Sequence, residues 1–218
     1  MFYTGLPNEK LGENLMSVEN TVFEPRTDSP FEQFRVWLAE ASEFEDDVSA
    51  MTLATADSRG RPSARIVLMK KYNENGIVFY TNTKSQKGLE LAINPFAALL
   101  FYWRSIRSQV RFEGTVVPVT MAEADEYYAS RPRNSKIAAW ASKQSRPLAD
   151  RAILMQAVDY FDNKYSKTSV PRPPYWSGYL LSPRRIEFWR DKEFRLHDRF
   201  VFTREAESCP WSLQRLFP

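Results

Sequence analysis

The chain has 218 residues, 43% of them hydrophobic and 14% aromatic, enough to build a sizeable core, which excludes global disorder. Its net charge of +3 is too small to imply nucleic acid, and its most apolar stretch, residues 96–103, is far shorter than the ~20 residues a membrane helix needs. A single cysteine, Cys209, and a single histidine, His197, exclude an internal disulfide and a zinc site of the usual Cys/His spacing. With no basic-then-apolar leader over residues 1–10, the expectation is a soluble cytoplasmic protein that holds no metal and binds neither nucleic acid nor membrane.

Residues 1–27 show no periodicity and carry Gly5, Pro7, Gly12 and Pro25, so a mobile arm is expected ahead of a single domain over 28–218. Ser29-Pro30-Phe31-Glu32 is a helix start with a capping box, and Phe31, Phe34, Trp37 and Leu38 follow at helical spacing. From Ala50 the pattern becomes short β-rich runs: Met51–Ala56, Ser63–Lys71 and Ile77–Asn82. Turns at Asp57–Gly60 and Asn73–Gly76 separate them, the latter with glycine where a positive φ is expected. Lys84–Ile93 reads as a short helix stopped at Asn94-Pro95, and the strands Phe96–Trp103 and Ser108–Val119 follow. Thr120 and Glu123 form a second capping box for a helix to about Ser130. Pro132 interrupts it, Arg133–Ala141 resumes it, and Leu148–Tyr165 is a longer amphipathic helix. After a stiff connector at Pro171, Pro173 and Pro174 come strands at Gly178–Leu181, Arg185–Arg190, Phe194–Thr203 and Trp211–Leu216. Many antiparallel strands with helices inserted between them predict an α+β fold built on a β-barrel.

Several segments carry side chains suited to anions. Were Arg195–Arg199 a strand, Arg195, His197 and Arg199 would share one face, opposite Leu196 and Asp198. Two guanidiniums flanking an imidazole do not suit an apolar core, so this is either a solvated face or a substrate surface where His197, with an unperturbed pKa of about 6.5, could move a proton. Arg65 and Lys70 end an apolar run on opposite faces by simple alternation, so they need a bulge or two separate ligands. Thr81, Ser85 and Lys87 gather at a helix start, where free amides favour phosphate. Ser130–Ser135 concentrates arginine and hydroxyl groups at a helix break, as either a polar turn or a second phosphate grip. Lys143-Gln144-Ser145 offers donors and acceptors for a heterocycle edge, and Trp189 precedes the histidine segment as a core or cofactor-facing aromatic.

In order along residues 28–218, the segments R-I-V-L-M-K (65–70), F-Y-T-N (79–82), S-R-P-R-N-S (130–135), W-A-S-K-Q-S (140–145), I-E-F-W (186–189) and R-L-H-D-R-F (195–200) resemble pyridoxine/pyridoxamine 5′-phosphate oxidases. The resemblance implies an FMN-binding split β-barrel, mostly antiparallel, with peripheral helices, acting as a homodimer. It implies oxidation of pyridoxamine 5′-phosphate and pyridoxine 5′-phosphate to pyridoxal 5′-phosphate, with O2 as the final acceptor. By the same resemblance FMN is held by Arg65, Ile66, Val67, Leu68, Lys70, Tyr80, Thr81, Gln86, Lys87, Gln109, Gln144, Ser145, Trp189 and Arg199, some of them from a second subunit. Substrate is held by Lys70, Tyr127, Arg131, Ser135, Arg195, Leu196 and His197, with Arg195 and His197 at the reacting carbon. The competing expectation is a catalytically weak protein of the same fold that stores FMN or pyridoxal phosphate.

The sequence also departs from the family pattern. Gln86 stands where the family usually has arginine, so weaker FMN retention is expected. Ser177 and Ala138 replace glycines in the W-G-G and G-A-W steps, and residues 1–27 lack a clear version of the family's basic-and-tyrosine lid.

Overall fold

The computed structural model describes residues 23–25 and 29–218. The expected arm over 1–27 therefore lies largely outside the described residues. Its described part is held: the Phe23 amide donates to Asp198 Oδ2 at 3.2 Å, and the Phe23 ring packs on Trp37 and Phe200.

Helix α1 (Pro30–Ser42) begins as the sequence implies, with the Ser29 hydroxyl accepting the Glu32 amide and Pro30 in the first turn. Its apolar stripe buries Phe31, Phe34 and Trp37 against the sheet. The sheet contains β1 (Ala50–Ala56), β2 (Pro62–Leu68), β3 (Lys71–Asn73), β4 (Gly76–Asn82), β5 (Phe96–Trp103), β6 (Ser108–Pro118), β7 (Trp176–Arg190), β8 (Asp198–Thr203) and β9 (Ser212–Arg215). Every pairing is antiparallel. Helices α2 (Gln86–Ile93), α3 (Met121–Ser130), α4 (Arg133–Ala141) and α5 (Arg151–Lys164) complete the expected α+β architecture. Gly76 takes the anticipated positive φ, +145°, in the β3–β4 turn.

Strand order is β2-β1-β5-β6-β7-β4-β3, and the sheet forks at β7. Residues 176–181 of β7 pair with β4, whereas residues 185–190 pair with β8, and β6 runs along the whole of the other edge. Inward side chains of both arms, among them Phe79, Phe101, Phe112, Leu181, Phe188 and Phe202, are fully buried in one cluster with α1.

Three expectations about strands are corrected. The single strand expected over Ser63–Lys71 is two, because β2 ends at Leu68 and β3 starts at Lys71. Met69 turns into the core and Lys70 faces outward, so the alternation that set Arg65 against Lys70 stops at this break. The two strands expected over 178–181 and 185–190 are one, despite Pro183. A register shift between Glu113 and Gly114 of β6 lies opposite, so the missing proline N–H falls at an irregularity in the ladder. Finally, residues 194–197 are not strand. Glu193–Arg195 forms a 3₁₀ turn in which Phe194 and Arg195 have φ of 54° and 62°, and β8 begins only at Asp198. Arg195, His197 and Arg199 therefore do not share a strand face.

Candidate active site

A cavity of about 430 Å³ opens between the β2 edge, the end of β4, and helices α3 and α4. Ile66, Val67, Leu68 and Lys70 form one wall. Among the described residues strand β2 is the end of the sheet and pairs only with β1, so its outer edge presents backbone donors and acceptors to whatever lies in the cavity. Thr81 and Lys87 lie at another wall, and both approach Gln144 Oε1, at 3.3 and 3.5 Å. Lys87 is 7% exposed, in the first turn of α2, where the Ser85 hydroxyl caps the helix. Burial, with the Arg65 charge adding to it and Glu90 opposing it, holds the Lys87 ammonium below an ordinary lysine.

The third wall holds Tyr127, Arg131 and Ser135. Tyr80, Tyr127 and Trp176 form a near-parallel cluster, with Tyr80–Tyr127 and Tyr80–Trp176 centroids at 4.1 and 5.2 Å. The Arg131 guanidinium stacks 4.7 Å above Trp176. Its Nη1 is buried and, among the described residues, has no hydrogen-bond partner, and burial lowers its pKa. A buried donor left unpaired costs of order 1–3 kcal/mol. Close packing shapes this wall, because a Cβ on Gly178 would lie 2.6 Å from the Tyr80 ring.

Of the expected site residues, the cavity thus gathers Ile66, Val67, Leu68, Lys70, Tyr80, Thr81, Lys87, Tyr127, Arg131, Ser135 and Gln144. Arg65 and Gln86 lie behind it. The Arg65 guanidinium donates to Thr55 and Ser63 and pairs with Glu90 at 3.3 Å, while Gln86 Nε2 donates to Glu90 Oε1 at 2.9 Å. Ser145 is exposed with φ of 67° and is not on the wall. Asn82, Ala138, Ala139, Ser142 and Trp176 line the cavity without having been singled out for it. The family's W-G-G and G-A-W steps already pass through Trp176, Ala138 and Ala139, but the alanines carry no chemical signal of their own.

The remaining expected residues form a second cluster that does not line this cavity. Gln109, Trp189 and Arg199 are cross-strand neighbours in one row over β6, β7 and β8. His197 packs on Trp189 with ring centroids 4.7 Å apart. His197 Nδ1 lies 2.9 Å from Asp191 Oδ1 and 3.2 Å from the Lys192 amide, so it can donate to the carboxylate or accept from the amide, but not both. Leu196 is 68% exposed, and Arg195 sits exposed in its left-handed conformation. Side chains at uncommon φ angles cluster at functional loops.

Residues 38–165 match the family model described as pyridoxamine 5′-phosphate oxidase. The chain belongs to that family. Residues 176–218 match a second model of the same family, described as the pyridoxine 5′-phosphate oxidase C-terminal dimerisation region. A pyridoxine/pyridoxamine 5′-phosphate oxidase of Rhodopseudomonas palustris (strain HaA2) is 54% identical over 192 residues, covering 88% of this chain and 91% of its own. The one from Caulobacter vibrioides (strain NA1000 / CB15N) is also 54% identical, covering 88% and 86%. Among solved structures, PhzG from Burkholderia lata 383, in complex with tetrahydrophenazine-1-carboxylic acid, superposes with a TM-score of 0.85 at 31% identity, covering 92% of this chain and 99% of its own. The split-barrel fold expected from the sequence is that of the family.

Proposed function

We propose that this protein is an FMN-dependent oxidase that converts pyridoxamine 5′-phosphate and pyridoxine 5′-phosphate to pyridoxal 5′-phosphate. The observation that carries this is Arg131, whose Nη1 is buried and without a hydrogen-bond partner among the described residues, lining one cavity with Lys70, Tyr127 and Ser135. Such a constellation suits a phosphate, because the arginine fork, an ammonium and two hydroxyls supply donors from several directions. A second cationic corner at Lys87, Thr81 and Gln144 suits the phosphate of FMN, and the β2 edge suits a flat ring system with donors and acceptors on its rim.

When bound, FMN would supply two-electron oxidation at substrate C4′, with O2 as final acceptor giving H2O2 and, from the amine after addition of water, ammonia. The chain's own contribution is placement. Arg131 and its neighbours fix the phosphate end of the substrate, which makes the approach of C4′ nearly intramolecular. Tyr80, Tyr127 and Trp176 wall the cavity and exclude water from that side.

The cavity of one chain lacks Gln109, Trp189, Arg195, His197 and Arg199, so we assign these to the same active site from a second copy, in a homodimer. In support, Trp189, Arg195, His197 and Arg199 all lie within the matched dimerisation region, residues 176–218. His197 would then orient substrate or accept its proton, with Asp191 steadying the ring.

One assay tests this. Purified protein is examined for a flavin spectrum and mixed with pyridoxamine 5′-phosphate under air while aldehyde and peroxide are followed. Both products in equal amounts are expected. Flavin colour without turnover would favour the storage protein, and no uptake of added FMN would remove both.

A further inference from the structure

We propose that Glu187 is the positioning residue that fixes Arg199 for its contact with the flavin, held in turn by Arg111 and Arg185. This rests on the oxidase reading of the site above. Glu187 lies mid-strand on the outward face of β7, two residues from Arg185 and from Trp189, and opposite Arg111 of β6. Although this face also carries exposed groups, the Glu187 side chain is only 2% exposed.

All its lone-pair directions are taken. Oε2 accepts from Arg111 Nη2 at 2.7 Å and from Arg185 Nη2 at 2.9 Å, and Oε1 accepts from Arg199 Nε and Nη2 at 2.9 and 2.7 Å. Glu113 closes the network through Arg111 and Arg185. Burial pushes the Glu187 carboxyl up, but the Arg199 hydrogen bonds and the Arg111 and Arg199 charges prevail and hold it below the usual carboxylate range.

The consequence falls on Arg199. Nε and Nη2 are forked onto one carboxylate oxygen, and Nη1 donates to the Phe217 carbonyl at 2.9 Å, which fixes the plane of the guanidinium. Of its five N–H groups, one on Nη1 and one on Nη2 have no acceptor among the described residues. Arg199 is the cross-strand partner of Trp189, in the row assigned to the flavin. Three guanidiniums this close would repel and splay without a shared anion. A neutral residue of similar size could fill the same space on the sheet, but could not aim them.

The test is an FMN titration of apo-protein, followed by flavin fluorescence quenching, alongside thermal unfolding of each apo-protein. The proteins are wild type, Glu187→Gln, Glu187→Asp, Arg199→Gln and the Glu187→Gln/Arg199→Gln double variant. Glu187→Gln and Glu187→Asp are each expected to raise the FMN Kd about tenfold, and the double variant to bind no more weakly than Arg199→Gln alone. Glu187→Asp keeps the charge but shortens the reach, and it decides the question if Glu187→Gln does not fold. Wild-type affinity in a Glu187 variant, or losses that multiply in the double variant, would overturn this role while leaving the oxidase standing. Failure of the wild-type apo-protein to take up FMN would overturn both.

Discussion

Replacing Gly178 by alanine tests the packing that shapes the cavity. The added methyl would lie 2.6 and 2.7 Å from two carbons of the Tyr80 ring, inside any real contact distance, and a tight 3.0 Å from Val119 Cγ2. Tyr80 cannot simply swing aside, because it is in near-parallel contact with both Tyr127 and Trp176. Overpacking of this kind costs roughly 1–3 kcal/mol, and the lower chain entropy of unfolded alanine returns roughly 0.4–1 kcal/mol. The net loss is therefore between about 0 and 2.6 kcal/mol, or a Tm lower by up to roughly 10 °C for a chain of this size. The sign is diagnostic, because alanine in place of glycine within a strand ordinarily stabilises. Because Tyr127 moves with Tyr80, KM for pyridoxamine 5′-phosphate should rise as well. The assay pairs thermal unfolding with steady-state kinetics and adds Tyr80→Leu, which removes the ring and should relieve most of the alanine penalty in the double variant. A Gly178→Ala protein with wild-type Tm and KM would refute the claim that this contact sets the wall.

Further predictions follow from single contacts. Arg131→Met should raise KM for pyridoxamine 5′-phosphate by about 30–100-fold, with ligand-free Tm unchanged or higher, because the buried Nη1, unpartnered among the described residues, is removed; denaturation without ligand and initial rates together check it. Gln86→Arg should tighten FMN binding about two- to tenfold by fluorescence titration, with part of the new charge spent on Glu90, which Gln86 already contacts. FMN binding should weaken with rising pH at a lower pH than an ordinary lysine would impose, because burial lowers the pKa of Lys87 and only its protonated form attracts phosphate. Lys87→Arg should flatten that profile in Kd measurements across alkaline pH. Ligand-free stability has the opposite slope: where the unfolded lysine still holds its proton and the folded one has lost it, stability rises with pH.

Most of the fold was legible because its signals are local. The Thr120–Glu123 capping box forms both of its reciprocal bonds, and the alternation of β1 matches its burial. The failures are places where tertiary structure overrides pattern. The strands expected over 178–181 and 185–190 are joined through Pro183, and the compensating shift lies in β6, more than sixty residues away in sequence. Phe194 and Arg195 carry no local mark of a positive φ, unlike Gly76, so the turn before His197 read as strand. At the site, cations and hydroxyls were visible as types, and the cavity gathers most of them. What the residues could not reveal was which cations are already neutralised. Arg65 is matched to Glu90, and Arg199 to Glu187, through carboxylates that read as ordinary polar positions in their own segments.

The fork in the sheet has a mechanical consequence. Trp176 and Gly178, at one end of β7, shape the cavity of their own chain, while Trp189, at the other end, belongs to the cluster assigned to the partner's cavity. In such a dimer each β7 is a single hydrogen-bonded rod, roughly 40 Å from one tryptophan to the other, running from one reaction chamber to its twin. Neither chamber could then tighten or slacken in isolation, because the same two rods form walls of both.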